Sequence, residues 1–403
     1  MARNKSFSEA IVVGGGPAGL TAAVTLAGAR ITTVLVGKRP MRLDNRTTTL
    51  LHGSVTALET LGVWNLCAGQ AAPLKIMRIV DDTGRLWRAP EVKFEADEIG
   101  LEAFGYNIEN RHLVAALEQR ASTHTDLRLI EDQVCAVETD GDEVSVSLKN
   151  GDTLCAPLVV AADGRHSLCR KTAGIAVEER EYPQTALTVC LRHSRSHRDT
   201  STEFHTKSGP FTLVPLPGLR SSLVWVLDRA QAGDIVALDG AALSMEIERG
   251  AHSILGKMEV EPGRGMFPLG VATAERFADN RIALVGEAAH VIPPIGAQGL
   301  NLGLRDAAAI GELVIAAHRA GEDIGGTDVL AAYKEMRRTD VGSRTLAVDL
   351  LNRTLLADLL PAQGLRGLGL YALEHIGPLR RAVMREGVAP AASLPRLMRG
   401  EAL

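Results

Sequence analysis

The chain begins with the short apolar run Ala10-Ile11-Val12-Val13, a glycine-rich turn, and a helix-length apolar stretch from Leu20 to Ala27. A strand feeding directly into a helix accounts for that pattern. From Ala10 to Ala29 no residue is charged, and Arg3 and Lys5 precede the window, as they would in a membrane span or a signal peptide. The glycines and proline inside it fit a buried parallel strand and its following helix instead. Strand and helix keep alternating as far as a helix through Ser54 to Leu61, which Gly62 stops. From Lys75 to Phe104 the pattern changes to short strands and turns such as Asp81-Asp82-Thr83-Gly84. A helix follows Asn110, with Leu113, Val114 and Leu117 on its apolar face. Alternating strands come next: Val144 to Leu148, a turn at Lys149 to Asp152, and the buried strand Leu158 to Ala162.

From Tyr182 to Pro262 the chain is strand-rich again, as in Thr185 to Leu191 and Ser222 to Leu227, and predicts an antiparallel sheet. The apolar strand Arg281 to Val285 returns the chain to the first sheet. Everything beyond Leu300 reads as helix, interrupted near Gly321 to Gly326, Pro361 and Pro378. A length of 403 residues suits two domains or one domain with a large insertion, and 46% hydrophobic residues can fill a sizeable core. The formal charge of −4 offers no basic field, so nucleic acid is not an expected partner. Cys67, Cys135, Cys155, Cys169 and Cys190 are scattered without a C-x-x-C pair, which points to reduced thiols in the cytoplasm and to no metal site.

Three segments carry candidate chemistry. Gly14, Gly16 and Gly19 have the spacing of a dinucleotide-binding turn: tight turn, close approach of a pyrophosphate, and close packing of helix on strand. Asp163-Gly164 ends a buried strand, placing a carboxylate and backbone amides at the carboxyl edge of the sheet, where ligands of α/β proteins bind. Gly286-Glu287 repeats that geometry, and Pro293 to Asn301 leads into a helix whose first amides, at Gly299, Leu300 and Asn301, would face an anion. Together the three point to FAD. One position departs from the usual dinucleotide pattern: Gly37 stands where an acidic residue normally ends the second strand. His290 reads as a packed, hydrogen-bonded residue rather than an acid or base. His52, Arg192 and His193 read as exposed strand or loop positions.

In order and spacing, Gly14 to Gly19, Ala162-Asp163-Gly164, Gly286 to His290 and Pro293 to Asn301 resemble the class A flavoprotein aromatic hydroxylases of the p-hydroxybenzoate hydroxylase fold. Asn45 to Leu50 with Gly53-Ser54, Gly105 to Arg111, Tyr182 to Ala186, Gln298 to Asp306 and Asn352-Arg353 resemble the ubiquinone-biosynthesis hydroxylases within that class. The resemblance implies an α/β fold: a discontinuous Rossmann-type FAD-binding domain (1–74, 105–181 and 262–330), an inserted antiparallel β-sheet substrate domain (75–104 and 182–261), and a helical C-terminal region (331–403). It implies FAD contacts at Gly14, Gly16, Gly19, Arg46, Asn110, Val134, Asp163, Gly164, Glu287, Gly299, Leu300 and Asn301, with Pro293 and Gly299 at the reacting face of the flavin.

The implied reaction is reduction of FAD by transient NAD(P)H or another electron donor, addition of O2 at flavin C4a, and transfer of the distal oxygen of the hydroperoxide to a phenol ring. A dry pocket is then required, and Leu187, Val189, Phe211, Leu213 and Trp225 are the apolar residues expected to face the flavin. The substrate is a hydrophobic aromatic molecule, a (polyprenyl)phenol. Other quinone-biosynthesis proteins are candidate partners. Arg366, Arg380, Arg381, Arg385 and Arg396, among apolar residues from Leu365 to Met398, form either a peripheral contact on the inner face of the membrane or a helix pair covering the core. Two rivals stay open: a flavoprotein acting on another substrate, as hydroxylase or reductase, and a non-catalytic flavin-binding scaffold subunit.

Overall fold

The structure is a computed structural model that describes residues 5–38, 46–84, 90–294, 296–356, 371, 375–388 and 394–403. Its centre is a six-stranded sheet in the order Ala278–Asp279, Ile282–Leu284, Leu158–Ala161, Ala10–Val13, Thr33–Val36, Leu127–Ile130. All neighbours are parallel except the first pair. Ala10–Val13 and Leu158–Ala161 are buried along their whole length, which explains their unbroken apolar character. Helix Pro17–Gly28 packs on this sheet, and helix Gln298–Ala320 packs against that helix. Gly311 sits where they meet, and a Cβ there would lie 2.5 Å from Thr25 Cγ2.

Beside the central sheet lies a four-stranded one, Lys5–Phe7, Thr153–Ala156, Glu143–Leu148 and Val134–Asp140. A three-stranded sheet joins Thr47–Leu51, Gly105–Glu109 and Ala71–Leu74. The largest sheet has nine strands and is built mainly on the 17-residue strand Val177–His193, which pairs antiparallel with both Arg220–Asp228 and Gly265–Ala274. This sheet extends on both sides of the expected borders at 181/182 and 261/262. Ile76–Asp81 and Val92–Glu95 complete it at the far edge.

Two helices inside the strand-rich region, Arg229–Ala237 and Gly240–Gly250, were not expected. Leu243 and Ile247 of the second bury against Leu187, Phe211 and Leu213, so this face of the large sheet has a core of its own. The helix expected to stop at Gly62 runs His52–Thr60, and Gly62 has φ +71°. Helix Thr327–Leu356 follows the Gly321 to Gly326 break and contains Asn352 and Arg353, whose side chains lie outside the described residues. Pro378 lies in the first turn of helix Gly377–Val388 and so begins a helix. Pro361, Leu365 and Arg366 lie outside the described residues. No helix among the described residues is long and apolar enough to cross a membrane. The five cysteines are free thiols, four of them buried.

Candidate cofactor and substrate site

A cavity of about 630 Å³ opens where the carboxyl ends of the central strands meet the three-stranded sheet and one face of the large sheet. Gly16, Pro17, Ala18 and Gly19 line it on one side, Ala162, Gly164 and Arg165 beside them, and Gly286, Glu287, Pro293, Gly299 and Leu300 on another. Ala186, Thr188, Ser222, Val224, Phe267 and Leu269 of the large sheet form the opposite wall. The volume suits a ligand-binding site.

The glycine turn divides its work as its spacing predicts. Gly14 has φ +123°, and a Cβ there would lie 2.1 Å from the carbonyl oxygen of Ala162. A Cβ on Gly19 would lie 2.0 Å from the Gly14 oxygen. A Cβ on Gly16 would meet nothing within 4 Å, so that side of the backbone is open to a ligand. Helix Pro17–Gly28 begins there with no side chain capping it and no acidic residue in its first turn. Its free amides suit a phosphate. Gly37 faces the same turn: a Cβ at this position would lie 2.4 Å from the Gly15 nitrogen. The missing acidic residue is thus matched by a backbone approach that leaves no room for a side chain.

The mid-chain segment behaves differently from expectation in one respect. Ala162 and Gly164 line the cavity, but the Asp163 carboxylate accepts hydrogen bonds from Ser167 Oγ (2.6 Å), Leu168 N (2.8 Å) and Cys169 N (3.2 Å). It shapes the entry to helix Leu168–Thr172. The buried Arg170 then donates to the carbonyls of Ala288 (2.7 Å) and Arg165 (2.8 Å), tying this loop to the Gly286 segment.

That third segment rests on buried charge. His290 Nε2 lies 2.7 Å from Asp306 Oδ2, which also accepts from Gly286 N at 2.9 Å. Arg337 Nε donates to Asp306 Oδ1 (2.6 Å), and its Nη1 donates to Asp340 (2.6 Å). Arg305 and Arg344 also donate to Asp340, and Arg344 reaches Gln298 Oε1 at the start of helix Gln298–Ala320. Burial alone would raise the Asp306 carboxyl, but His290 and Arg337 outweigh it and hold the group below its usual range. Burial likewise opposes the charge on Asp340, where Arg337 and Arg305 win and hold the carboxyl at about 2. Burial pushes the Arg305 guanidinium down to about 10.

Helix Gln298–Ala320 starts from Ala297, which has φ +55°, and no side chain caps it. Gly299 and Leu300 reach the cavity; Asn301 does not line it. The Asn301 amide is spent within the protein, accepting from Leu51 N (2.9 Å) and donating to the carbonyls of Thr49 (2.7 Å) and Ala297 (2.6 Å). Glu287 is exposed at the cavity edge. Arg46 lies at the rim with its guanidinium 5.9 Å from the Phe267 ring centre, and its carbonyl accepts from Asn110 N. Val134 is remote from the cavity, in the four-stranded sheet, packed against the main core.

The wall of the large sheet presents the face opposite to the expected one. Of Leu187, Val189, Phe211, Leu213 and Trp225, Val189 alone lines the cavity. The others pack in the core covered by helix Gly240–Gly250. Side chains alternate along a strand, and the bulkier set went to the covered side. Ala186, Thr188, Ser222 and Val224 face the cavity instead. Phe267, exposed and aromatic at a cavity wall, was not foreseen; an exposed aromatic in a strand is the signal that could have found it. His193 is buried, bonded to Ser221 Oγ and the Arg195 carbonyl, and is not an exposed position.

The residues present fit a flavin dinucleotide. Two uncapped helix starts and an open glycine backbone meet in one cavity, and two of its lining side chains hold buried polar atoms without a protein partner: Asn110 Oδ1 and His290 Nδ1. A cradle of this kind, shared with an antiparallel sheet, defines a dinucleotide-binding protein with a second wall for a substrate. A family model described as an FAD binding domain matches residues 8–347, and the chain belongs to this family of FAD-dependent aromatic hydroxylases. It is 36% identical to the ubiquinone hydroxylase UbiL of Rhodospirillum rubrum, over 98% of this chain and 93% of that protein. It is 32% identical to the 3-demethoxyubiquinol 3-hydroxylase of Escherichia coli, over 94% and 97%. Among solved structures, p-nitrophenol 4-monooxygenase PnpA from Pseudomonas putida superposes with a TM-score of 0.79 at 19% identity, covering 97% of this chain and all of that one. HpxO of Klebsiella pneumoniae, complexed with FAD and uric acid, gives 0.75 at 19% identity, over 96% of this chain and 97% of that one.

Proposed function

We propose that the chain hydroxylates the aromatic ring of a prenylated phenol on the route to ubiquinone, consuming O2 and electrons from NAD(P)H or another donor. The observation that carries this reading is a cavity in which the glycine cradle faces a largely apolar wall of the large sheet. The two ubiquinone-pathway relatives, matched over nearly the whole chain, direct it to that substrate class. When bound, FAD supplies the redox chemistry, accepting an electron pair and activating O2 for transfer of one oxygen atom.

The residues divide the remaining tasks. Gly14 and Gly19 keep the turn tight, and the open backbone at Gly16 with the amides of helix Pro17–Gly28 binds the pyrophosphate, with Arg46 reaching it from the rim. Pro293, Gly299 and Leu300 line the ring system, with the start of helix Gln298–Ala320 favouring negative charge there. Asn110 and Glu287 accept hydrogen bonds from the cofactor's hydroxyls. Asp163 serves through the loop it caps, and Asn301 through the helix start it fixes. Val224, Phe267 and Leu269 keep water from the ring being oxidised.

In a strain lacking this gene, quinone extracts should accumulate a prenylated phenol short of one ring oxygen, and restoring the gene should clear it. Unchanged quinone content would contradict the pathway assignment. Rescue by a variant that binds FAD but cannot turn over would favour the scaffold role.

A further inference from the structure

Thr47 and Ser222 come from different sheets and meet at the cavity, Thr47 Oγ1 lying 2.8 Å from Ser222 Oγ. Ser222 also accepts from Asn107 Nδ2 at 3.1 Å, and Asn107, itself buried, is anchored by a 2.9 Å bond to the Pro215 carbonyl. Two hydroxyls carry two protons, and the contact between them uses one. Thr47 donates across the pair, Ser222 accepts from both partners, and among the described residues neither hydroxyl makes a further hydrogen bond, so the Ser222 O–H has no described protein acceptor. Ser222 is 3% exposed, so bulk water does not readily satisfy it. Val224, on the same face of the same strand, is apolar.

We infer that the Thr47–Ser222 pair donates a hydrogen bond to a ring oxygen of the aromatic substrate and thereby selects oxygenated rings and sets their orientation. The inference rests on the hydroxylase reading above and adds a specificity determinant to it. Asn107 acts as a positioning residue, holding the Ser222 oxygen so that the spare proton stays at the cavity. It also gives the Gly105 to Arg111 segment a purpose beyond packing.

The test uses the FAD-loaded protein and two probes, a geranyl-substituted phenol and the matching geranylbenzene without the oxygen. Binding is followed by the change in flavin absorbance, with FAD content measured in parallel. The wild type should prefer the phenol by about tenfold, the size expected of one such bond. In the double variant Thr47→Val with Ser222→Ala, that preference should fall below about twofold, with FAD content and geranylbenzene affinity unchanged. Each single variant should keep part of it, because the surviving hydroxyl still has a proton to give. A double variant that retains the full preference overturns the inference. So does one that loses FAD while the preference among loaded molecules persists, which would assign the hydroxyls to the cofactor. If the wild type hydroxylates the phenol but binds both probes equally, the inference fails and the hydroxylase reading stands; if it binds neither and turns over neither, the hydroxylase reading fails first.

Discussion

The turn Gly14 to Gly19 and the segment Gly286 to Asn301 flank the same cavity and are built by different means. In the first, side chains are absent where backbones must touch: Gly14 against Ala162, Gly19 against Gly14, Gly37 against Gly15. Its shape is decided within a few residues of chain and one neighbouring strand. In the second, the backbone is held by a buried chain of charges, from His290 through Asp306, Arg337 and Asp340 to Arg344 and Gln298. That chain draws on helix Thr327–Leu356, none of whose described residues lines the cavity. A steric cradle fails when something is added, and an electrostatic one fails when something is removed.

The largest effect should come from removal. Arg337→Ala leaves Asp306 and Asp340 short of a partner in the interior, and the urea midpoint should fall by an amount worth about 3–5 kcal/mol. FAD retention should fall with it, since Gly286 and Gln298 lose their support. Addition at the other wall comes next: Gly14→Ala forces a side chain into a positive-φ position against the Ala162 carbonyl, at a cost of about 1–3 kcal/mol. Its signature is FAD loss at a temperature where the wild type stays loaded.

Gly37→Glu sharpens the comparison, because it restores the acidic residue usual in such turns. Its Cβ has no room beside Gly15, so FAD affinity should drop rather than rise, by about tenfold, measured by fluorescence titration of the apoprotein. Tighter binding would show that the turn can shift to admit the side chain.

The smallest effect is on acid stability. Asp340 is held at about 2 against an ordinary 3.8, so its contribution is fully present above pH 3.8 and is lost as pH falls through about 2. Asp340→Asn should flatten the stability profile in that window; an unaltered slope would remove Asp340 from the network's accounting.

Legibility followed the same division. The glycine spacing, the buried strands and the order of the flavin segments were readable because each is a local pattern. That Asp163 caps a helix and Asn301 pins a strand was not readable, because acceptor and donor types do not name their partners. The face of Val177–His193 was misjudged for a related reason: between Gln184 and Leu191 both faces of that strand are largely buried, and hydrophobicity alone favours the bulkier one. The charge network needed residues 306, 337 and 340 to be seen together. The helix Gly377–Val388, read as either membrane contact or core cover, is fastened to the protein at two points: Arg380 donates to Glu98 (2.6 Å), and Met384 packs with Phe94.

Oxygen transfer to a phenol ring, as proposed, can be followed directly. The purified, FAD-loaded protein should be supplied with an electron donor, a prenylated phenol and 18O2, and the product analysed by mass. One 18O atom should enter each product ring, in step with donor oxidation. Donor oxidation that yields only peroxide, or a product whose new oxygen comes from water, would contradict it.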